Sequence, residues 1–208
     1  MKLLVLGATG GIGLEIVRQA VARHHSVTAF VRSSDRLAAF QGRIALEQGD
    51  LLSTSELERA IQSNDAILSA FGPRVPVMKA DENLLRDFAS ALTSALRRVS
   101  VSRLVIVSTA FLFRDSIMPP THLVGRLFFP SVVVDASAME QTIAESGLDW
   151  TIVRPPQLTD KPFSGKYRVR EGHLPFLGFK VSRADVADCL IKAAEDGAYV
   201  GKVLGVSS

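Results

Sequence analysis

The chain has 208 residues, 47% of them hydrophobic and 22% charged, with a formal net charge of +3. That length and balance fit one globular domain with a sizeable core, and the weak, scattered positive charge offers no nucleic-acid footprint. No run approaches the roughly 18 apolar residues of a membrane span, and the single cysteine, Cys189, excludes a disulfide framework or a cysteine zinc site.

The chain opens with KLLVLGATGGIGLE over residues 2–15. Leu3, Leu4, Val5 and Leu6 form an apolar run without alternation, which predicts a strand buried on both faces of a parallel sheet. A buried strand from the second residue leaves no room for a cleavable leader, so a cytoplasmic location is expected. The glycines follow that strand directly. Gly7 permits a tight turn, Gly10 or Gly11 lets backbone approach a pyrophosphate, and Gly13 lets the next helix pack on the strand. The spacing fits G-x-x-G-x-x-G and G-x-x-x-G-x-G equally. Ile12, Ile16, Val17 and Ala20 share one helical face, and Val27, Ala29, Phe30 and Val31 supply a second apolar run. The loop therefore sits inside a βαβ unit, the context in which a glycine motif reads as dinucleotide-binding.

FVRSSDRL follows over residues 30–37, with Arg32 at the strand end and Arg36 one helical turn beyond. An acidic residue there would bond the adenosine ribose and repel a 2′-phosphate. Two arginines with Ser33 and Ser34 favour NADP(H) instead. A short third strand is expected at residues 44–46, and Gln48-Gly49-Asp50-Leu51 leads into a capping pattern at Ser53-Thr54-Ser55-Glu56. Asp50 stands where a carboxylate meets the adenine amino group, or where it shapes the turn. A fourth strand at 66–70 ends in Phe71-Gly72-Pro73, on the same carboxyl edge as Gly7.

Leu84, Leu85, Phe88, Leu92, Ala95, Leu96 and Val99 make a helical stripe, and residues 104–107 a fifth buried strand ending in Ser108 and Thr109. Hydroxyls at that end face the ligand crevice of an open α/β sheet. Residues 110–130 carry Phe111, Phe113, Met118, Phe128 and Phe129 without clean periodicity, either an aromatic wall over a flat substrate or a core-packing connection; His122 lies within reach of the site. Arg97, Arg98 and Arg103 read as a solvated helix end. A helix at 131–146 stops at Gly147, a sixth strand at 150–154 ends at Pro155 and Pro156, and short strands are expected at 166–170, 179–181 and 203–206. Ser182 with Asp185 caps the last helix, which places Cys189 beside Val186, Leu190 and Ala193 as a core thiol. The pattern predicts a Rossmann-like, doubly wound parallel sheet with helices on both faces, residues 1–208 forming a single NAD(P)-binding domain.

The motifs GATGGIG, FVRSSDRL, QGD, IVSTAFLF and SGLDWTIVRPPQLTD, in that order, resemble the atypical short-chain dehydrogenase/reductases of the NmrA-like group, and within it the flavin/biliverdin-IXβ reductases. The likeness spans almost the whole chain. It implies NADP(H) across the carboxyl edge of the sheet and a shallow site, built from about residues 110–130 and 155–181, that accepts a planar molecule such as a flavin, tetrapyrrole or quinone. By the same resemblance the phosphate loop falls on Gly7, Thr9, Gly10, Gly11, Ile12 and Gly13, and the 2′-phosphate contacts on Arg32 and Arg36. The adenine contact falls on Asp50 and Leu51, and the nicotinamide side on Phe71, Gly72, Pro155, Pro156, Gln157 and Leu158. The active-site hydroxyls fall on Ser108 and Thr109. Gln157 departs from the reductases, which have a histidine there.

The Tyr-x-x-x-Lys pair of typical short-chain dehydrogenases is absent, because the two tyrosines, Tyr167 and Tyr199, are followed four residues on by Glu171 and Val203. That disfavours alcohol and sugar chemistry, which needs a proton relay. Hydride transfer to a conjugated acceptor has no such need. The expected function is an NADPH-dependent reductase of planar acceptors, with Ser108 and Thr109 as catalytic hydroxyls, Phe111, Phe113 and His122 as substrate contacts, and no metal. The rival is a non-catalytic NADP(H) sensor of the NmrA-like type.

Overall fold

A computed structural model of the chain describes residues 1–73, 83–113, 127 and 129–208. Seven parallel strands build the main sheet: β1 (Lys2–Leu6), β2 (Ser26–Val31), β3 (Ala45–Gln48), β4 (Ala66–Ser69), β5 (Arg103–Val107), β6 (Asp149–Arg154) and β10 (Lys202–Ser207). β8 (Arg168–Glu171) joins antiparallel to β10, giving the order β3-β2-β1-β4-β5-β6-β10-β8. β7 (Gln157–Thr159) and β9 (Lys180–Ser182) pair in parallel as a separate two-stranded sheet. The chain runs outward from β1 to β3, then returns to lay β4 on β1's other side. That reversal opens a crevice at the carboxyl ends of β1 and β4, where open α/β sheets bind ligands.

Alternation along each strand divides the core in two. Leu3 and Val5 of β1 point toward α1 (Gly11–Ala22) and α5 (Arg183–Glu195), whereas Leu4 and Leu6 point toward α2 (Thr54–Ile61), α3 (Leu84–Leu96) and α4 (Pro130–Ala144). Both faces are therefore covered, which explains why these strands read as unbroken apolar runs. Each fully buried leucine or isoleucine contributes about 1.5–3 kcal/mol of transfer energy. α3 begins without a side-chain cap of its own; Asp135 of α4 accepts the backbone N–H groups of Leu85 and Arg86 at 2.8 and 3.0 Å.

Several boundaries differ from the sequence reading. β3 lies one residue later than expected because its register is set by pairing Thr28↔Ala45 through Val31↔Gln48, while Ile44 packs against the core ahead of it. Residues 35–40 form a 3-10 turn that periodicity did not show. Gln157 and Leu158, which follow the two prolines that end the sixth strand, lie in strand β7 because β9 supplies its partner. Ser53 heads α2 without a side-chain cap bond, and Glu56 turns back instead to accept Asp50 N–H at 2.7 Å. Arg103 does not belong to a solvated cluster. It donates to Asp149 O at 2.7 Å, Thr151 Oγ1 at 2.9 Å and Ala193 O, and its burial lowers its pKa against the pull of Asp149 and Asp196.

Candidate functional site

Gly7 ends β1 with φ +74, and a Cβ there would lie 2.8 Å from Phe71 N and 2.9 Å from Ala70 O. The turns after β1 and β4 are thus pressed together, and glycine alone fits between them. Gly10 N–H donates to Gly7 O at 2.9 Å, closing the loop. A Cβ on Gly13 would overlap the Gly7 carbonyl, so this residue brings α1 onto the end of β1. Gly10 heads α1 with no side-chain cap and no acid in the first turn. The free N–H groups and the positive end of the helix face the crevice without a built-in anion. Arg183, first residue of α5, lies along this helix start: a Cβ on Gly11 would sit 2.6 Å from its Cδ and 2.8 Å from its Nε. Its Nη1 donates to Asp160 at 2.5 Å.

Arg36 reaches back over the loop and donates to Thr9 O at 2.6 Å. That neutral acceptor leaves its charge uncompensated. Arg32 is exposed, its carbonyl held by Gln48 Nε2 at 2.9 Å. Beside it Arg32, Ser33, Ser34, Asp35, Glu47 and Gln48, floored by Val31 and Leu46, line a half-open pocket of about 360 Å³ at the ends of β2 and β3. Glu47 Oε2 is buried there with no partner among the described residues, although Glu47 was not singled out from sequence. Asp50 Oδ1 accepts Leu52 N–H at 3.0 Å, the turn-shaping role, while Leu51 is buried against α2 and α3.

On the other side of the crevice Ser108 N–H donates to Val153 O at 2.8 Å and Ala110 N–H to Pro155 O at 3.0 Å, prolonging the β5–β6 ladder past its strands. Ser108 Oγ is buried and has no hydrogen-bond partner among the described residues. A polar atom orphaned in this way costs roughly 1–3 kcal/mol, so its place at a crevice edge marks it for a ligand. Thr109 differs from Ser108: its Oγ1 accepts Phe111 N–H at 3.3 Å and caps the short 3-10 turn Ala110–Leu112. Phe71 packs at a tilt against Phe88, with ring centroids 4.8 Å apart at 58°, and none of the described residues stands within 4 Å of a Cβ built on Gly72.

Phe111 stacks on Phe129 at 5.7 Å and 11°. Phe113 is only 3% exposed, packs with Ala110 and Leu174, and has the Arg154 guanidinium 4.7 Å above its ring. Of the two expected stacking residues, Phe111 is half-buried, whereas Phe113 belongs to a small core cluster. Pro155 is buried, Pro156 and Leu158 are half-buried and Gln157 is exposed. His122 lies outside the described residues. Tyr167 donates to Asp188 at 2.5 Å on α5, with its pKa raised by burial and by that carboxylate, and Tyr199 sits in a turn after α5. Neither occupies the position of a proton relay.

A model of the NAD(P)H-binding family matches residues 7–197. The chain belongs to that family. Its cofactor is accordingly NAD(P)H, and the uncapped helix start, the glycines without room for a Cβ and the orphaned Ser108 hydroxyl fit such a molecule. The chain is 28% identical over 169 residues to the uncharacterized protein YwnB of Bacillus subtilis, covering 77% of this chain and 74% of that protein. A short-chain dehydrogenase/reductase from Veillonella parvula, solved in complex with NADP, superposes with a TM-score of 0.85 at 19% identity over 100% of this chain and 94% of its own. ChuY, an anaerobillin reductase from Escherichia coli O157:H7, superposes with a TM-score of 0.81 at 21% identity over 100% and 97%. Both structural likenesses establish the Rossmann-like fold.

Within this family frame two charged groups come to the crevice that sequence patterns did not single out. Arg154 is bonded in a fork to Glu140 of α4, Nε to Oε1 at 2.9 Å and Nη2 to Oε2 at 2.5 Å. Arg183 adjoins the glycine loop as described. The available signals were an arginine closing an otherwise apolar strand just before Pro155 and an arginine following the cap Ser182. Neither has a spacing rule behind it. Among the described residues no group of acidic, histidine or cysteine side chains could hold a metal, and no helix is long and apolar enough to cross a membrane.

Proposed function

We propose that this family member is an NADPH-dependent reductase of flavins or similar planar acceptors, formed as one NAD(P)-binding unit with its substrate side in residues 110–130 and 155–181. The observation that carries the reading is the buried Ser108 hydroxyl at the carboxyl end of β5, without a partner among the described residues, in a chain that has no Tyr-x-x-x-Lys pair. The glycine loop and the start of α1 receive the pyrophosphate, with Arg183 adding positive charge beside them. Arg32 and Arg36 take the 2′-phosphate. NADPH supplies a hydride. Ser108 orients the nicotinamide or the acceptor, Thr109 sets the turn that presents Phe111, and Phe111 offers its ring to a flat molecule. Water supplies the proton. ChuY, a reductase by its description, supports a tetrapyrrole as one acceptor of this shape.

The test is steady-state NADPH oxidation with FMN, riboflavin, menadione and biliverdin. The reductase reading expects saturable dependence on at least one acceptor and a loss of about ten- to a thousandfold in kcat for Ser108→Ala, the scale of one positioned hydrogen bond. Micromolar NADPH binding with no turnover on any of the four would assign a sensor role and end the reductase reading.

A further inference from the structure

A half-buried ion pair, Arg154 with Glu140, stands at the carboxyl end of β6. Val107 pairs with Val153 in register and Ser108 N–H donates to Val153 O, so residues 108 and 154 stand abreast at the ends of β5 and β6. Alternation puts them on the α3–α4 side with Ile106 and Ile152. Arg154 meets Glu140 in a fork and lies over the Phe113 ring; the side chains are 15% and 9% exposed. Taking both charges out of water is costly, and an apolar pair of the same volume would serve packing as well or better. The fork uses Nε and Nη2, and Nη1 has no acceptor among the described residues. The arrangement leaves a cation with spare hydrogens beside an orphaned serine hydroxyl.

We infer that Arg154 is the acceptor-side donor of the site: with Ser108 it holds a carbonyl oxygen conjugated to the acceptor's electron-poor ring, and Glu140 positions it. The inference rests on the reductase reading and deepens it to acceptors bearing such a carbonyl, as flavins, quinones and bilin lactams do. The acceptor gains a hydride with its two electrons from the dihydronicotinamide, which is thereby oxidised. The displaced π pair comes to rest on the carbonyl oxygen, and water protonates the product. Donors that hold an oxygen in the complex, and hold it more strongly as it gains charge, contribute to binding and lower the barrier further. Phe113, under the guanidinium, fixes its plane, and the fork to Glu140 fixes its direction.

The test compares the unmutated protein with Arg154→Met, Arg154→Lys and the charge-free double variant Arg154→Met/Glu140→Leu, which avoids stranding a buried carboxylate. NADPH affinity should stay within about twofold throughout. Turnover of flavin or quinone should fall by about ten- to a thousandfold in kcat with a smaller change in KM, and Arg154→Lys should recover part of it. Riboflavin binding to the NADP⁺-saturated protein, read by quenching of flavin fluorescence, should weaken at least tenfold in the double variant. Unchanged turnover in a folded double variant would overturn the role of Arg154 and leave the reductase reading standing. If the unmutated protein oxidises no NADPH, the riboflavin measurement decides: Arg154-dependent binding retains the acceptor site without catalysis, and binding that is absent or independent of Arg154 overturns it.

Discussion

At the scale of single residues, the glycines of the first loop have separable jobs. Gly7 is required by its positive φ and by the Phe71 backbone above it, Gly13 by the Gly7 carbonyl below it, while a Cβ on Gly11 would press only on the Arg183 side chain. Among the described residues Arg32 has no side-chain partner and Arg36 is tied to Thr9 O, so Arg32 is the group able to move onto a phosphate without breaking a bond. A charge-assisted hydrogen bond contributes about 1.5–3 kcal/mol. Arg32→Ala should therefore weaken NADPH binding by about ten- to a hundredfold and leave NADH binding nearly unchanged. Titration of both cofactors by calorimetry measures this, and parallel losses for the two would contradict a 2′-phosphate contact.

At the scale of elements, the start of α5 is a joint between the core and the segment at Ser164 and Gly165. Ser182 Oγ accepts Asp185 N–H at 2.9 Å and donates to Asp185 Oδ2 at 2.8 Å, and the carboxylate also accepts from Ser164 N–H at 2.9 Å, Ser164 Oγ at 2.9 Å and Gly165 N–H at 3.0 Å. Burial acts to raise the pKa of Asp185, and the hydrogen bonds from Ser164, Ser182 and Gly165 outweigh it, leaving the carboxyl below its ordinary value. A depressed folded pKa stabilises the protein above the unfolded value, about 3.9, and that stability is lost as pH falls through the folded value. Asp185→Asn should thus cost about 1–3 kcal/mol at pH 7 and much less below pH 3. Urea denaturation at the two pH values checks it; an equal cost at both would remove the ionic contribution.

At the scale of the whole molecule, the proposed placement has the cofactor bridge both sides of the β1–β4 crevice, so that its binding adds free energy to the folding of the entire sheet. NADPH at a hundred times its dissociation constant should stabilise the chain by about 2.7 kcal/mol, a rise of about 5–10 °C in Tm for a protein of this size. NADH at the same concentration should give a clearly smaller rise, measured by differential scanning calorimetry. Equal shifts would argue against the arginine-lined pocket as a phosphate site. Cys189, 3% exposed with its thiol pushed up to about 12 by burial and by Asp188, gives this core no reactive sulfur.

Periodicity and spacing were sufficient for what depends on local patterns. Leu3–Leu6 had to be a two-sided buried strand because no polar residue interrupts it, GATGGIG had to turn tightly into a helix because little else tolerates that backbone, and Ser182 with Asp185 had to start α5. The missing tyrosine–lysine pair is likewise a fact of the chain. Tertiary structure decided what depends on partners distant in sequence. Residues 157–159 became β7 only because β9 offers an edge, Thr109 became a cap, Phe113 became core, and Glu56 caps Asp50 rather than its own helix. Arg154 meets Glu140 only through the packing of α4 on β6, and Arg183 reaches Gly11 only because α5 lies beside α1. Those long-range pairings carry no period, and a charged residue in isolation gives no sign of which buried partner will hold it.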